Sequence, residues 1–224
     1  LGDEDEAALD LAGCDFVALS ADAHLLAVGC GGKVLLLPQG ASAQAAQARL
    51  LEPSAPGDRA SCACWVFDTH GGVAPSAAAL PSILLIGYES GSLAAYSSSA
   101  GELLWSARVH ASSLTHLHAS GGKELDVVGL FEGGVLLCIP SISALLHPER
   151  FGAGGSPLWL YDLPPESASA HVLACCGMLP ALPLDLDLGG PAAHDKRLVL
   201  VMALPDALQL HTLRPPAPPP PPTA

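Results

Sequence analysis

The sequence predicts an all-β fold, because its apolar residues come in short runs that glycine and proline interrupt. Half of the 224 residues are hydrophobic, which is enough to bury a sizeable core, yet only 4% are aromatic. The 23 glycines and 21 prolines divide the chain too often for long helices. An apolar run, a tight Gly-rich turn and a second apolar run recur along the chain, so paired strands are the expected unit.

Four segments carry this pattern, and each predicts an antiparallel β-hairpin. They are Leu25 to Leu37, Ile83 to Tyr96, Leu125 to Ile139 and Leu198 to Leu213. About five apolar residues fill a central strand, and glycine supplies the positive φ that the turn requires. The first three turns are expected at Gly31-Gly32, Glu89-Ser90-Gly91 and Glu132-Gly133-Gly134.

The spacing of the hairpins predicts the blades of a β-propeller. The glycines that anchor the first three hairpins, Gly29, Gly87 and Gly129, are 58 and 42 residues apart. The second interval lies within the roughly 40–50 residues expected for one blade, and the first fits that period once an insertion is allowed. A further strand precedes each of these hairpins, at Phe16 to Ser20, Ala63 to Phe67 and Leu114 to His118. We therefore predict a partial β-propeller of about four WD-repeat-like blades over residues 16–214, whose central strands are apolar because both faces of each blade are covered.

The remaining segments are predicted to be irregular. Residues 1–15 are expected to form an acidic tail, 39–61 an inserted loop rich in Ala and Gln, and 215–224 a disordered proline-rich tail. Further loops are expected at Gly152 to Pro157 and Gly177 to Pro191. The tail is interpreted as a spacer, with a ligand for proline-binding modules as the alternative. A first residue other than Met and an end directly after a proline tract indicate a piece of a longer protein.

Charge and cysteine content exclude some partners and favour a compartment. Nine Lys and Arg against 22 Asp and Glu give a net charge of −13, which repels a phosphate backbone, so we predict no nucleic-acid partner. No run of about 18 apolar residues exists, so no transmembrane segment is expected. The seven cysteines are irregularly spaced and no signal peptide precedes them, which predicts reduced thiols and a cytoplasmic location.

Two sets of residues resemble metal ligands, and neither predicts a metal site. Cys62 and Cys64 with Cys175 and Cys176 lack the two-to-four-residue gaps of a zinc knuckle. His116 and His118 would share one face of a strand, but no third ligand lies near them in sequence. Buried thiols and buried or edge histidines are the favoured interpretations.

No segment predicts a catalytic or cofactor site. In Gly87 to Gly91 the serine stands in the fourth place rather than the third, so a hairpin turn explains the segment better than a nucleophile elbow. The glycines between Gly152 and Gly155 lack the Lys-Ser/Thr of a phosphate loop. Asp185 and Asp187 would share a strand face, for which a solvated edge is the favoured interpretation over acid/base chemistry.

Several of these stretches, in one collinear order over residues 16–180, resemble the N-terminal propeller region of the non-catalytic (regulatory) subunit of the Rab-three GTPase-activating protein complex. The stretches are Leu19 to Leu37, Leu85 to Tyr96, Ala100 to Leu104, Lys123 to Ile139, Ser141 to Leu146 and Leu158 to Leu163. That family has a Val-Gly-aromatic-x-Ser-Gly turn where this chain has Ile86 to Gly91, and a Trp-containing segment at the position of Trp159. The chain departs from the family in the Ala-rich insertion Ala41 to Leu51 and in the indistinct turn Ala203 to Asp206, and it lacks the long C-terminal half.

The resemblance implies a regulatory role rather than an active site. Such subunits pair with a catalytic subunit that supplies the arginine accelerating GTP hydrolysis on a Rab protein, and the complex is implicated in nucleotide exchange on a Rab of the endoplasmic reticulum. It therefore implies two partners, the catalytic subunit and a Rab GTPase, and a peripheral location at endoplasmic reticulum or vesicle membranes. No catalytic residue is carried over. The six arginines are scattered and none lies in a finger motif: Arg49, Arg59, Arg108, Arg150, Arg197 and Arg214.

Two alternatives are open. One is a generic WD-repeat-like adaptor with unrelated partners, although neither the Trp-Asp nor the Gly-His dipeptide occurs. The other is an enzyme built on a propeller, in which polar side chains converge on a central channel. Its candidates are Asp162, His171, Asp185 and His194.

Overall fold

A computed structural model describes most of the repeated region. The described residues are 13–20, 23–39, 48–53, 55–67, 82–119, 127–147, 158–163, 171–180, 196–203 and 208–213. Within these ranges the chain forms fifteen β-strands and one short helix, and every pair of neighbouring strands is antiparallel. The all-β prediction is therefore confirmed.

The strands form four sheets, and in each sheet the order in space is the order in sequence. Blade I contains β1 (Cys14–Leu19), β2 (Leu25–Cys30), β3 (Lys33–Pro38) and β4 (Arg49–Leu51). Blade II contains β5 (Ala60–Phe67), β6 (Ser82–Tyr88), β7 (Ser92–Ser97) and β8 (Leu103–Arg108). Blade III contains β9 (Leu114–Ala119), β10 (Val127–Phe131), β11 (Val135–Ile139) and β12 (Trp159–Asp162), with helix α1 (Ile142–Leu146) between its last two strands. Blade IV contains β13 (His171–Pro180), β14 (Lys196–Ala203) and β15 (Leu208–Leu213).

The first strands of the four sheets lie next to one another and hold the blades together. β5 packs against β1 and β2, β9 packs against β5 and β6, and β13 packs against β9 and β10. Consecutive four-stranded meanders that meet through their first strands are the arrangement of a β-propeller. The fold is therefore a partial β-propeller, as the sequence predicts.

Blade II is buried on both faces, which explains its uninterrupted apolar strands. Leu84 and Ile86 belong to the apolar cluster shared with blade I, whereas Ile83 and Leu85 belong to the cluster shared with blade III. All four side chains are almost completely buried. Successive residues of a strand point to opposite faces, so a sheet packed on both sides needs apolar residues at every position.

Blade I packs against blade II through one of its faces within the described part of the chain. Its residues Ala27, Val34 and Leu36 pack into the shared cluster. The register aligns Val17 with Val28, Val28 with Leu35 and Leu35 with Leu50 on the opposite face. At the two ends of this row Val17 and Leu50 are each more than half exposed, and so is Leu19 nearby.

The three predicted turns are confirmed at residues 31–32, 89–91 and 132–134. Four segment boundaries differ from the prediction. β1 starts at Cys14, inside the predicted acidic tail. β4 (Arg49–Leu51) lies inside the predicted inserted loop, and β5 begins at Ala60, before that loop was predicted to end. β13 continues through Gly177 to Pro180, which the sequence assigned to a loop. The last expected turn and the proline-rich tail lie outside the described residues, as do the remaining parts of the predicted loops after residues 151 and 180.

Candidate interaction face

The three hairpin turns and the two described linkers between blades all lie at one end of the blades. We call it the hairpin face; it consists of the turns at 31–32, 89–91 and 132–134 and the linkers 52–59 and 109–113, together with the strand residues next to them. The first strands of blades I, II and III all begin at this end, because each pairs there with the residues that precede a hairpin turn.

Backbone hydrogen bonds fix the first linker between two consecutive turns. At its end, the N–H of Ala60 donates to the carbonyl oxygen of Gly32 in the turn of blade I, at 3.0 Å. The carbonyl oxygen of Arg59 accepts from the N–H of Glu89 in the turn of blade II, at 2.9 Å. The linker therefore bridges two blades and is not a free loop.

The second linker repeats this arrangement between blades II and III. The N–H groups of Val109 and His110 both donate to the carbonyl oxygen of Gly91, at 3.0 and 3.2 Å. Farther along, the carbonyl oxygen of Ser113 accepts from the N–H of Glu132 at 2.8 Å. The bond from the N–H of the turn glutamate to the residue before the first strand of the blade therefore recurs at both junctions.

Gly91 is the position in these turns with the least space for a side chain. Its φ is +79°, a conformation that residues with a Cβ rarely adopt. A Cβ there would also lie 2.3 Å from the carbonyl oxygen of His110 and 2.4 Å from that of Ser112. These are backbone atoms of the linker, so they cannot move aside as a flexible side chain would.

Side chains reinforce the contact between the first linker and the turn of blade II. The Asp58 carboxylate accepts hydrogen bonds from the hydroxyl of Ser90, from the N–H of Ser90 at 3.3 Å and from the N–H of Arg59 at 3.0 Å. Next to them, the guanidinium of Arg59 forms an ion pair with the carboxylate of Glu89 at 3.3 Å. Both side chains of this pair are 55% exposed, so they are available to a partner.

Two buried tyrosines support the linker from below. The hydroxyl of Tyr96 donates to the carbonyl oxygen of Glu52 at 2.8 Å and lies 2.8 Å from the hydroxyl of Tyr88. Since the Tyr96 proton is directed at Glu52, Tyr88 donates to Tyr96. Burial is the main cause that raises the pKa of Tyr96 above its usual range. The neutral pair thus anchors the start of the linker to the strands of blade II.

A groove of about 340 Å³ opens between the turn of blade I and the first linker. Leu50, Leu51 and Pro53 form part of its apolar wall. Four charged residues also line it: Lys33, Glu52, Asp58 and Arg59. A groove with a short apolar wall and charges of both signs suits a side chain or a short segment of another protein.

The charged side chains concentrate at this face. Eleven Asp, Glu, Lys and Arg residues have described side chains, and only Arg49 and Glu102 lie toward the opposite end. The six acidic residues at the hairpin face are Asp15, Glu52, Asp58, Glu89, Glu132 and Asp162. The three basic ones are Lys33, Arg59 and Arg108. The face is therefore charged with both signs, with acidic residues in excess.

The cysteines and histidines singled out in the sequence lie in strands. Cys62 and Cys64 are buried in β5, where burial raises the pKa of Cys62 to about 12 and that of Cys64 still further. His116 and His118 lie in β9, and Cys175 and Cys176 in β13. Among the described residues, no three His, Cys, Asp or Glu side chains are grouped closely enough to hold a metal ion.

The segment Gly87 to Gly91 is the hairpin turn that the sequence favoured over a nucleophile elbow. A strand rather than a helix follows it, and the Ser90 hydroxyl bonds to Asp58 and Ser92. Of the residues proposed for an enzyme, Asp162 lies at the exposed end of β12 and His171 begins β13 in a different sheet. Asp185, Asp187 and His194 lie outside the described residues.

The hairpin face was not predicted from the sequence as a site. Its turns were visible in the sequence, but the first linker was assigned to the inserted loop 39–61 and the second linker received no assignment. Polar residues directly before two of the first strands, Asp58-Arg59 before β5 and Ser112-Ser113 before β9, are the signal that could have indicated it.

No family model and no curated protein matches this chain. Solved structures that are similar to it in part include the following two. One, a crystal structure of a mitotic checkpoint complex, is 11% identical with a TM-score of 0.49, over 91% of this chain and 49% of that one. The other, a structure of the Dos1 propeller, is 19% identical with a TM-score of 0.44, over 57% of this chain and 34% of that one. This chain therefore spans about half of the first structure and a third of the second.

In the part of the chain that the structure describes, no helix has the length and apolar character needed to cross a membrane.

Proposed function

We propose that this chain is a non-catalytic interaction scaffold, and specifically the regulatory subunit of a Rab GTPase-activating complex that acts in vesicle trafficking. The observation that carries the scaffold role is the hairpin face, which holds nine of the eleven charged residues with described side chains and whose turns and linkers are joined by backbone hydrogen bonds. A face whose backbone is already ordered loses little conformational entropy on binding, which favours affinity. The Rab-directed role rests on the sequence resemblance over residues 16–180.

The charges of the face indicate the kind of surface that would bind it. Its acidic excess complements a partner surface with an excess of Lys and Arg, and charge complementarity increases both association rate and specificity. Glu89 and Glu132 occupy equivalent places, since each follows the second strand of its blade and bonds through its N–H to the preceding linker. A partner that lies across two blades would meet both carboxylates.

The proposed division of labour leaves catalysis to the partner subunit. An arginine finger must extend to the γ-phosphate of GTP. On this chain Arg59 is paired with Glu89, and the Nε of Arg108 donates to the carbonyl oxygen of His110 at 3.4 Å. Both arginines are thus engaged by neighbouring groups of this chain, which supports a regulatory role. The complex is expected in the cytoplasm and peripherally at endoplasmic reticulum or vesicle membranes, with the catalytic subunit and a Rab GTPase as partners.

Co-purification of the full-length protein with a Rab GTPase-activating catalytic subunit tests the assignment, and a matched pair of charge reversals tests the surface. Glu89→Lys reverses a carboxylate on the hairpin face, whereas Glu102→Lys makes the same change at the opposite end. We expect Glu89→Lys to weaken binding at least tenfold and Glu102→Lys to leave it unchanged. Equal effects of the two variants would show that the hairpin face is not the binding surface.

A single-turnover GTPase assay with a panel of Rab proteins tests the absence of catalysis. We expect this chain alone to give no stimulation and the complex with its catalytic subunit to stimulate hydrolysis. Stimulation by this chain alone that Arg59→Ala or Arg108→Ala abolishes would contradict the regulatory role.

A WD-repeat-like adaptor with unrelated partners is the second candidate, and the mixed charge of the groove favours it equally. Mass spectrometry of the proteins retained by the wild-type chain and lost with Glu89→Lys distinguishes the two. A retained set without a Rab or its activating subunit would support the adaptor.

A further inference from the structure

We infer that Cys14 and Cys30 form a reversible disulfide, so that this pair is an oxidation site on the hairpin face. The two residues are direct partners across the antiparallel strands β1 and β2, and their sulfur atoms lie 2.9 Å apart. Directly paired positions in antiparallel strands have Cα separations that fall within the range that a disulfide requires. The bond can therefore form without a large backbone movement.

The pair is also accessible, in contrast to the other cysteines with described side chains. Cys30 is exposed and Cys14 is partly exposed, whereas Cys62, Cys64 and Cys138 are buried. Oxidation requires contact with an oxidant from solvent, and burial that raises a thiol pKa further suppresses its reactivity. The geometry thus selects one pair among the cysteines whose surroundings the structure describes.

The oxidant we propose is a hydroperoxide, with hydrogen peroxide as the probe. The sulfur of Cys30, the more exposed residue, attacks one peroxide oxygen, so an S–O bond forms, the O–O bond breaks, and the departing hydroxide takes the thiol proton as water. The sulfur of Cys14 then attacks the sulfenic acid, so the S–S bond forms and a second water leaves. Two thiols lose two electrons in total, and one peroxide is reduced to two waters. An added dithiol reverses the reaction by thiol–disulfide exchange.

The Cys14–Cys30 disulfide would restrict the movement of the turn that forms one wall of the groove. Cys30 directly precedes the Gly31-Gly32 turn, which lines the groove. Asp15, next to Cys14, accepts a hydrogen bond from the N–H of Gly32 at 3.3 Å. The disulfide would therefore link the start of β1 covalently to the residue before the turn of blade I, where this hydrogen bond already joins the two segments. This inference does not depend on which partner binds the face.

Peptide mapping after brief treatment of the folded chain with hydrogen peroxide tests the inference. We expect a Cys14–Cys30 crosslinked peptide that dithiothreitol removes, while the peptides with Cys62, Cys64 and Cys138 stay reduced. All of these measurements use a chain that also carries Cys175→Ser and Cys176→Ser. These two cysteines are adjacent in sequence, so their removal prevents oxidation products between them from complicating the peptide map. The oxidised chain should also melt about 5–10 °C higher than the reduced chain, as expected for a crosslink that closes a loop of this length.

Single variants separate an intramolecular disulfide from other products. With Cys14→Ser, peroxide should leave a sulfenic acid on Cys30 that dimedone traps, and no crosslink within the chain. A crosslink that appears only between two chains would overturn the inference. Oxidation of the buried cysteines at the same rate as the pair, or no oxidation of the pair in the folded chain, would also overturn it.

Discussion

The indole Nε1 of Trp65 donates a hydrogen bond to the carbonyl oxygen of Ala18, 2.9 Å away, across the boundary between two blades. Trp65 lies in β5 and Ala18 in β1, so the bond joins the first strands of blades II and I. The side chain of Trp65 is buried in the apolar cluster that the two blades share. One residue thus contributes both a polar and an apolar contact to the same junction.

Trp65→Phe is expected to lower the free energy of unfolding by about 1–3 kcal/mol, because it removes the hydrogen bond to Ala18 and leaves space in a packed cluster. Urea unfolding followed by far-UV circular dichroism measures the loss. Trp105→Phe is the control, since Trp105 is only partly buried on the outer strand β8, and its loss should be smaller. An equal loss in the two variants would contradict the role assigned to Trp65.

Gly91→Ala is expected to destabilise the chain much more than Gly57→Ala, although both glycines have nearly the same φ, +79° and +78°. At Gly57 no atom lies within 4 Å of the added methyl, so only the cost of the positive φ applies, about 1 kcal/mol. At Gly91 the methyl also meets the carbonyl oxygens of His110 and Ser112. Thermal unfolding of both variants checks the difference, and equal Tm values would show that the linker does not constrain the turn.

Stability should fall as pH rises above about 9, because Cys62 must stay protonated in the folded chain. Its pKa is about 12 when folded, against 9.0 without burial. As pH rises, the unfolded chain therefore loses this proton before the folded chain does. The contribution of the neutral thiol to the free energy of unfolding is complete below pH 9 and is lost between pH 9 and 12. Unfolding free energies measured from pH 8 to 11 should show the decline.

Cys62→Ser is the control for this pH dependence. A serine hydroxyl does not titrate in this range, and it retains a donor for the carbonyl oxygen of Leu114, which the thiol contacts at 3.3 Å. We expect a smaller slope in the variant. An unchanged slope would assign the alkaline decline to other groups, of which Cys64 and Tyr96 have raised pKa values.

Exchanging the charges of the exposed ion pair should change binding but hardly change stability. The double variant Arg59→Glu with Glu89→Arg keeps an ion pair and reverses both charges, and exposed pairs contribute only about 0–1 kcal/mol. We expect a Tm close to that of the wild type and a loss of partner binding similar to that of Glu89→Lys. Restored binding in the double variant would show that the pair matters only for structure.

The central hairpins were predictable because their signals are local. In Ile83 to Tyr96 apolar residues flank a Gly-containing turn, and no other element accommodates that pattern. The outer strand β4 (Arg49–Leu51) was not predicted, because it has only three residues and its neighbours in sequence include Ala, Gln and Pro. Such a short strand gives no periodic pattern of apolar residues. The pairing of Cys14 with Cys30 depends on the register of two strands, which sequence alone does not determine. The hairpin face was missed for a related reason: Asp58 and Ser90 meet only once blades I and II have packed together.

The sequential order of strands within each blade has a kinetic consequence. All the strand pairings of blade I lie between residues 14 and 51, and those of blade II between residues 60 and 108. Because contacts close in sequence form faster than distant ones, we expect each meander to pair before the next one is complete. During synthesis we therefore expect blade I to fold before blade II. Trp65 would then pack against the apolar face of blade I and bond to Ala18 as β5 leaves the ribosome.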